Sequence, residues 1–135
     1  MNPITEVPGL YYKENAISKK QDLFIKKKIK QYKLTEFKYK SMNGGYYQYI
    51  PFGDTYKDAF YEKPQWIDDF FKEINLVQNK QCNNCFVISY DPGTGLNDHT
   101  DDFVYGEWVL GLTLGSGCTM NFKLNNKTVS LYLNP

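Results

Sequence analysis

The residues of this sequence best suited to hold a metal ion are its single histidine and an aspartate two positions later. They are His99 and Asp101, within residues 97–102. In an extended backbone, side chains two positions apart point to the same side, so both can reach one ion. An imidazole nitrogen and a carboxylate oxygen are two of the three ligands in the facial triad of non-haem Fe(II) oxygenases. The same spacing also occurs in solvated surface turns, and both interpretations stay open at this point.

A second candidate for metal or redox chemistry is the C-x-x-C pair Cys82 and Cys85. A zinc site needs two further ligands, and only Cys118 and His99 remain for that purpose. Cys85 also starts an apolar stretch, and a free cysteine commonly packs as a small hydrophobic residue. Three cysteines without an export signal favour reduced thiols. We therefore expect a packing role, with zinc or redox chemistry as the alternative.

Two helices precede the segment that carries His99. Ser18 and Gln21 have the spacing of a capping box at the start of the first helix. Pro64 stands where the first residue of a second helix is expected. The apolar positions of the two helices recur at helical spacing, as Leu23, Phe24, Ile25, Ile29 and Tyr32 in the first and Trp66, Ile67, Phe70, Phe71 and Ile74 in the second.

Short strands dominate the rest of the chain. Pro8 and Gly9 predict a turn before a short strand at Tyr11, and Gly44 and Gly45 interrupt an aromatic alternation that predicts a hairpin over residues 34–50. Further strands are predicted at 85–90, 108–114, 119–123 and 128–133, with turns at 91–93, 115–117 and 125–126. Helices followed by short strands predict an α+β fold with a mainly antiparallel sheet, in one domain over residues 1–135.

The charged residues are unevenly placed. All sixteen cations are lysines, the net charge is only +1, and seven of the lysines lie in residues 19–33. We interpret this cluster as a solvated helix face, with a phosphate-contacting stripe as the alternative. No apolar run approaches membrane-spanning length and no signal peptide is evident, so we expect a cytoplasmic or nuclear protein without a membrane partner. Nothing in the sequence indicates the oligomeric state.

The run from Cys85 to Asp101 resembles the AlkB family of Fe(II)/2-oxoglutarate-dependent dioxygenases. That family has a tyrosine, a Pro-Gly turn, an apolar residue and His-x-Asp at the offsets of Tyr90, Pro92, Leu96 and His99 here. Residues 108–116 and 120–122 look like the family's following strand pair. The turn at residues 8–10, the flap at 45–49 and the second helix fall in family order. The resemblance covers essentially the whole chain and is nearest to the branch that acts on wobble uridines of tRNA.

This resemblance implies N-terminal helices packed on a partial double-stranded β-helix, the jelly-roll core. It implies Fe(II) and 2-oxoglutarate as cofactors, with His99 and Asp101 as iron ligands and Tyr90 as a 2-oxoglutarate contact. No further catalytic side chain is assigned. Tyr46, Tyr47 and Tyr49 match the flap that covers the substrate nucleotide. The implied reaction is oxidative demethylation or hydroxylation of nucleic-acid bases, with RNA or tRNA favoured over DNA.

The sequence departs from the family pattern in two places. Ile88 stands where the family has an asparagine, and isoleucine cannot hydrogen-bond a carboxylate. The second iron-binding histidine and two arginines of the family fall beyond the last matched strand, so we expect a C-terminally incomplete domain with impaired activity. It is either a fragment of a working oxygenase or a degenerate relative. The alternative function is a non-catalytic AlkB-like module that binds RNA through the lysine-rich helix and the tyrosine-rich flap.

Overall fold

The computed structural model describes residues 1–34, 38–41, 44–53 and 61–135. They form an α+β structure, as the sequence predicts. The helices are α1 (Lys19–Lys30) and α2 (Gln65–Ile74), with a short 3-10 helix at Phe103–Tyr105. The strands are β1 (Asn2–Pro3), β2 (Tyr11–Tyr12), β3 (Lys38–Lys40), β4 (Tyr46–Gly53), β5 (Asn84–Tyr90), β6 (Cys118–Leu124) and β7 (Lys127–Leu133).

The strands of the described residues form three separate antiparallel sheets, ordered β1-β2, β3-β4-β5 and β6-β7. Within the described residues, a parallel pairing occurs only at the isolated bridge between Phe52 and Tyr61. The contacts group the chain into two units, Met1–Asp22 with Leu110–Pro135, and Leu23–Val109. Whether residues 1–135 form one domain stays a prediction. In the described part of the chain, no helix has both the length and the apolarity required to cross a membrane.

The first unit contains two turns that the sequence predicts. Leu10 N donates a hydrogen bond of 3.0 Å to Val7 O, and Gly9 has φ +84°, as a type II turn after proline requires. The β6-β7 hairpin turns through Asn125 and Asn126, both with positive φ, which is the type I′ geometry that matches strand twist. Both predicted strands of this hairpin are confirmed: β6 extends one residue beyond each predicted end, and β7 begins one residue earlier than predicted.

Both helices begin close to their predicted positions. At α1, Ser18 N donates to Gln21 Oε1 (2.8 Å) and Gln21 N donates to Ser18 Oγ (3.2 Å), which confirms the capping box. Pro64 is the N-cap of α2 rather than its first helical residue, because its ψ of 148° is extended. The C-cap of α2 is Asn75 in the left-handed conformation, and its N–H donates to Phe71 O.

The core of the second unit lies between α2 and one face of the three-stranded sheet. Ile50 and Phe52 of β4 and Ile67 of α2 are almost fully buried there. The partly buried residues packed around them are Tyr32, Leu34, Trp66, Phe71, Cys82, Cys85 and Val87. Side chains of a strand alternate between its faces, so this packing turns Tyr47 and Tyr49 to the opposite face of β4.

The predicted hairpin of residues 34–50 is confirmed where it is described, because β3 pairs antiparallel with β4 and Gly44 has φ +90°. Phe37, part of the predicted alternation, lies outside the described residues. β5 matches the strand predicted at 85–90. The strand predicted at 108–114 is wrong: the segment has no regular secondary structure and pairs with none of the described strands. Trp108 and Val109 there are largely exposed, and an apolar run without a partner strand has no ladder to stabilise it.

Candidate functional site

His99 and Asp101 lie side by side, as their spacing predicts. His99 Nε2 is 3.4 Å from Asp101 Oδ1, and His99 Nδ1 is 2.9 Å from the Asn97 carbonyl oxygen. A carbonyl oxygen can only accept, so that hydrogen bond requires the proton on Nδ1. A histidine that binds a metal through Nε2 commonly donates its Nδ1–H to a backbone carbonyl in this way. The two side chains are 58% and 56% exposed, so they are open to an ion from solvent.

The β3-β4 hairpin holds the loop that carries this pair. The Ser41 hydroxyl, which is buried, donates a hydrogen bond of 2.8 Å to the Gly95 carbonyl oxygen. At Gly45, any side chain would meet the Thr94 side chain. The backbone N–H of Asp91 donates to Tyr46 O at 3.0 Å. Ser41 and Thr94 could not be singled out from the sequence, because neither carries a local signal that distinguishes it from other loop residues.

A type II turn connects β5 to this loop. Thr94 N donates to Asp91 O at 3.0 Å, and Gly93 has φ +78°, which confirms the turn predicted at residues 91–93. Gln48 Nε2, on the core-facing side of β4, is 3.4 Å from Asp91 Oδ1. The start of the loop is therefore held to the sheet by a backbone hydrogen bond of Asp91 and by a contact of its side chain.

A small open depression joins two of the predicted site residues. It has a volume of about 210 Å³ and is lined by Lys40, Ser41, Tyr47, Leu96, Asn97 and His99. The structure therefore brings the predicted iron ligand His99 and the predicted substrate contact Tyr47 to one concave surface. Lys40 contributes the only positive side chain of that lining, so an anion is the charge-complementary ligand.

The predicted tyrosines divide between the two faces of the sheet. Tyr47 lies directly opposite Tyr90, and their ring centroids are 6.3 Å apart. Tyr49 shares that face, with its ring 5.5 Å from Phe86. Tyr46 lies on the other face, where Lys38 Nζ stands 4.4 Å from its ring centroid. The structure thus brings Tyr47, Tyr49 and Tyr90 together and separates Tyr46 from them.

Three further aromatic residues extend this surface, which we call the aromatic face: Tyr39, Tyr47, Tyr49, Phe86, Tyr90 and Tyr105. Tyr39 of β3 stacks on Tyr47 at 5.6 Å, and Tyr105 meets Phe86 edge-on at 5.0 Å. Strand register places these rings together, and register was not readable from the sequence. Tyr39 and Tyr90 remain more than a third exposed, so ring surface is available to a planar ligand.

The described residues fit a bound Fe(II) ion only in part. No group of three or more His, Cys, Asp or Glu side chains suited to a metal occurs among residues 1–34, 38–41, 44–53 and 61–135. His99 and Asp101 therefore supply two of the three ligands of a facial triad. Ile88, two residues before Tyr90 and on the same face, offers a carboxylate no hydrogen bond.

The second predicted chemical site, Cys82 and Cys85, has a different environment. Burial raises the pKa of the Cys85 thiol to about 12, and the nearby Cys82 thiol adds to this rise while Lys63 opposes it. The Cys82 thiol lies 3.2 Å from Asn84 O. A thiol that stays protonated at neutral pH is a poor nucleophile and metal ligand. This environment favours the packing role that the sequence suggests.

Comparison with known proteins finds a distant relative. Over 119 residues the chain is 26% identical to a Danio rerio protein named "Probable RNA/DNA demethylase ALKBH6". This chain is therefore a distant homologue of that AlkB-type protein. The alignment covers 85% of this chain and 50% of the relative, so the chain spans about half the length of the curated relative it matches. No family model matches the chain, and no solved structure does. The match supports the AlkB-like resemblance of the sequence.

Proposed function

We propose that this chain contributes to an AlkB-type Fe(II)/2-oxoglutarate-dependent dioxygenase that demethylates or hydroxylates nucleic-acid bases, with RNA favoured over DNA and tRNA as the implied substrate. The proposal includes the fold of the resemblance, in which N-terminal helices pack on the first strands of a jelly-roll core. The observation that carries it is the pairing of His99 Nε2 with Asp101 Oδ1 at 3.4 Å, with His99 Nδ1 held by Asn97.

The proposal takes the roles of the residues from the AlkB resemblance, and their placement supports it. His99 and Asp101 present a nitrogen and an oxygen to one cation, and Tyr90 offers its hydroxyl to a carboxylate of 2-oxoglutarate. Tyr47 lies between the two, because it lines the depression with His99 and stands opposite Tyr90. The oxidant of the reaction would be O2, which bound Fe(II) and 2-oxoglutarate would activate. The described residues supply two of the three ligands of a facial triad.

Titration with Mn²⁺, followed by electron paramagnetic resonance, tests the ligand pair directly. The ion should bind weakly, since two ligands leave it largely hydrated, and His99→Ala or Asp101→Ala should each remove the bound signal. Asp98→Asn is the matched control, because it removes a neighbouring carboxylate that the proposal does not use. Equal Mn²⁺ binding by the wild type and both ligand variants would contradict the assignment. Succinate formation from 2-oxoglutarate with methylated RNA then tests the reaction.

The aromatic face favours a second candidate function, a nucleic-acid-binding module without turnover. The three strands of its sheet carry two lysines and no acidic residue, and their tyrosine rings can stack unpaired bases. RNA binding that is unchanged by His99→Ala and by chelation of metal, with no succinate formed, would favour this module. Loss of RNA binding in the same variant would favour the oxygenase.

A further inference from the structure

Helix α1 carries a positively charged surface that the candidate site does not use. Residues 23–34 contain five lysines and no acidic residue. Leu23, Lys27 and Lys30 are spaced i, i+4 and i+7, so they lie on one face of the helix. Lys27 and Lys30 are exposed, and Leu23 is 59% exposed. We call Leu23, Phe24, Lys27, Lys28 and Lys30 the α1 basic face.

Solubility alone does not require a helix face that has lysines and no acidic residue. A solvated helix usually alternates lysine with glutamate at i, i+4 spacing, which stabilises the helix, whereas Lys27 and Lys30 are like charges at i, i+3 and repel each other. The negative end of the helix dipole offsets part of this repulsion, because both lysines lie in the last turn. A bound polyanion would remove the remainder.

The apolar residues of the α1 basic face indicate which kind of polyanion it would bind. Phe24 is 41% exposed, with Lys28 Nζ 5.5 Å from its ring centroid and Trp66 edge-on at 6.3 Å. A lysine beside an exposed ring combines a phosphate contact with a surface for a base or sugar. A nucleic-acid strand offers both groups in alternation, so it is complementary to the face in charge and in chemistry.

We propose that the α1 basic face binds the phosphate backbone of a nucleic acid, with Lys27 and Lys30 as phosphate contacts. The choice of a nucleic acid as occupant rests on the proposed function. The surface itself is distinct from the His99 depression, since the two share no residue. It supplies affinity and orientation to a strand whose reacting base lies elsewhere, which is the usual division between phosphate and base contacts.

Fluorescence anisotropy of a labelled single-stranded RNA, measured on the whole chain between about 50 and 200 mM salt, tests the proposal. Each phosphate contact to a single strand contributes about 0.7 to the slope of log affinity against log salt, so Lys27→Gln with Lys30→Gln should lower the slope by about 1.4 and the affinity by on the order of tenfold. Glutamine preserves helix propensity, and circular dichroism confirms that α1 is intact. The paired Lys→Arg variant should bind like the wild type.

The matched control is Lys123→Gln with Lys127→Gln, which removes the same charge from the β6-β7 hairpin. An equal loss of affinity in this control would overturn the proposal, because binding would then follow net charge alone. RNA binding unchanged in the α1 variant would also overturn it, while leaving the wider nucleic-acid proposal intact. The proposal would also be overturned if the α1 variant lost binding to phosphatidylserine vesicles but kept its binding to RNA. Mn²⁺ binding at His99 should be unaffected in every variant, which separates this proposal from that of the metal pair.

Discussion

The Ser41 hydroxyl donates a hydrogen bond to the Gly95 carbonyl oxygen at 2.8 Å, across 54 residues of sequence. This bond links the β3-β4 hairpin, which carries the aromatic residues, to the loop that carries His99. Because Ser41 is buried, its hydroxyl has little access to water, and this bond gives it a partner within the protein. Ser41 also lines the His99 depression, so its side chain both borders the depression and contacts the loop that carries His99.

Ser41→Ala should lower the free energy of unfolding by about 1 kcal/mol and weaken Mn²⁺ binding, because the loop loses its tether. Urea denaturation and Mn²⁺ titration measure the two effects. Ser130→Ala is the control, since Ser130 donates an exposed hydrogen bond to Asn121 in the other unit. If Ser41→Ala left both stability and Mn²⁺ binding at wild-type values, the tether would have no role.

Gly45→Ala should be destabilising, because the added methyl group would meet the Thr94 side chain. We expect a loss of about 1–3 kcal/mol in urea denaturation, as for other overpacked sites. Gly111→Ala is the matched control: a methyl group there has open space, and stability should change by less than about 0.5 kcal/mol. Adding Thr94→Ala to Gly45→Ala should restore part of the loss, and a double-mutant cycle without coupling would contradict the contact.

The Cys85 thiol should be almost unreactive in the folded protein and should make stability fall at high pH. Its pKa rises from 9.0 to about 12 on burial, so the folded state keeps the proton over a range in which the unfolded state loses it. The stabilisation is complete below pH 9.0 and is lost as the pH rises towards about 12. Denaturant midpoints across this range, compared with Cys85→Ala, measure the effect.

Iodoacetamide labelling followed by mass spectrometry gives an independent check on the same residue. Cys118 is exposed and should be modified first at neutral pH, whereas the partly buried Cys85 should react much more slowly until the protein unfolds, because its thiol stays protonated. Labelling of Cys85 at the rate of Cys118 in the native protein would contradict its buried environment.

Substitution of Tyr47 and of Tyr46 should show which face of the sheet binds RNA. Tyr47→Ala should weaken binding of single-stranded RNA by about 1–3 kcal/mol, the range for one lost base–aromatic stack. Tyr46→Ala is the matched control, because Tyr46 neighbours Tyr47 in sequence but points to the other face, beside Lys38. Anisotropy measurements that gave equal losses for both variants would show that binding does not use the aromatic face.

Several elements of this protein could be predicted from sequence because the interactions that form them are local. The Ser18–Gln21 capping box joins residues three apart, and the turn through Asn125 and Asn126 depends on the left-handed conformation that asparagine tolerates. The closeness of His99 and Asp101 likewise follows from two-residue periodicity in an extended backbone. For these features the local preference is sufficient, and the surrounding structure does not oppose it.

Only the tertiary structure decided which distant residues meet. The register of β4 against β5 places Tyr47 opposite Tyr90 and turns Tyr46 away, and a shift of one residue would exchange the two tyrosines. The segment at 108–114 has the apolar residues of a strand but pairs with none of the described strands, so its pattern alone did not make it one. Local sequence sets what a segment can form, whereas pairing and burial between remote segments select what it does form, because most of the stabilising energy comes from those contacts.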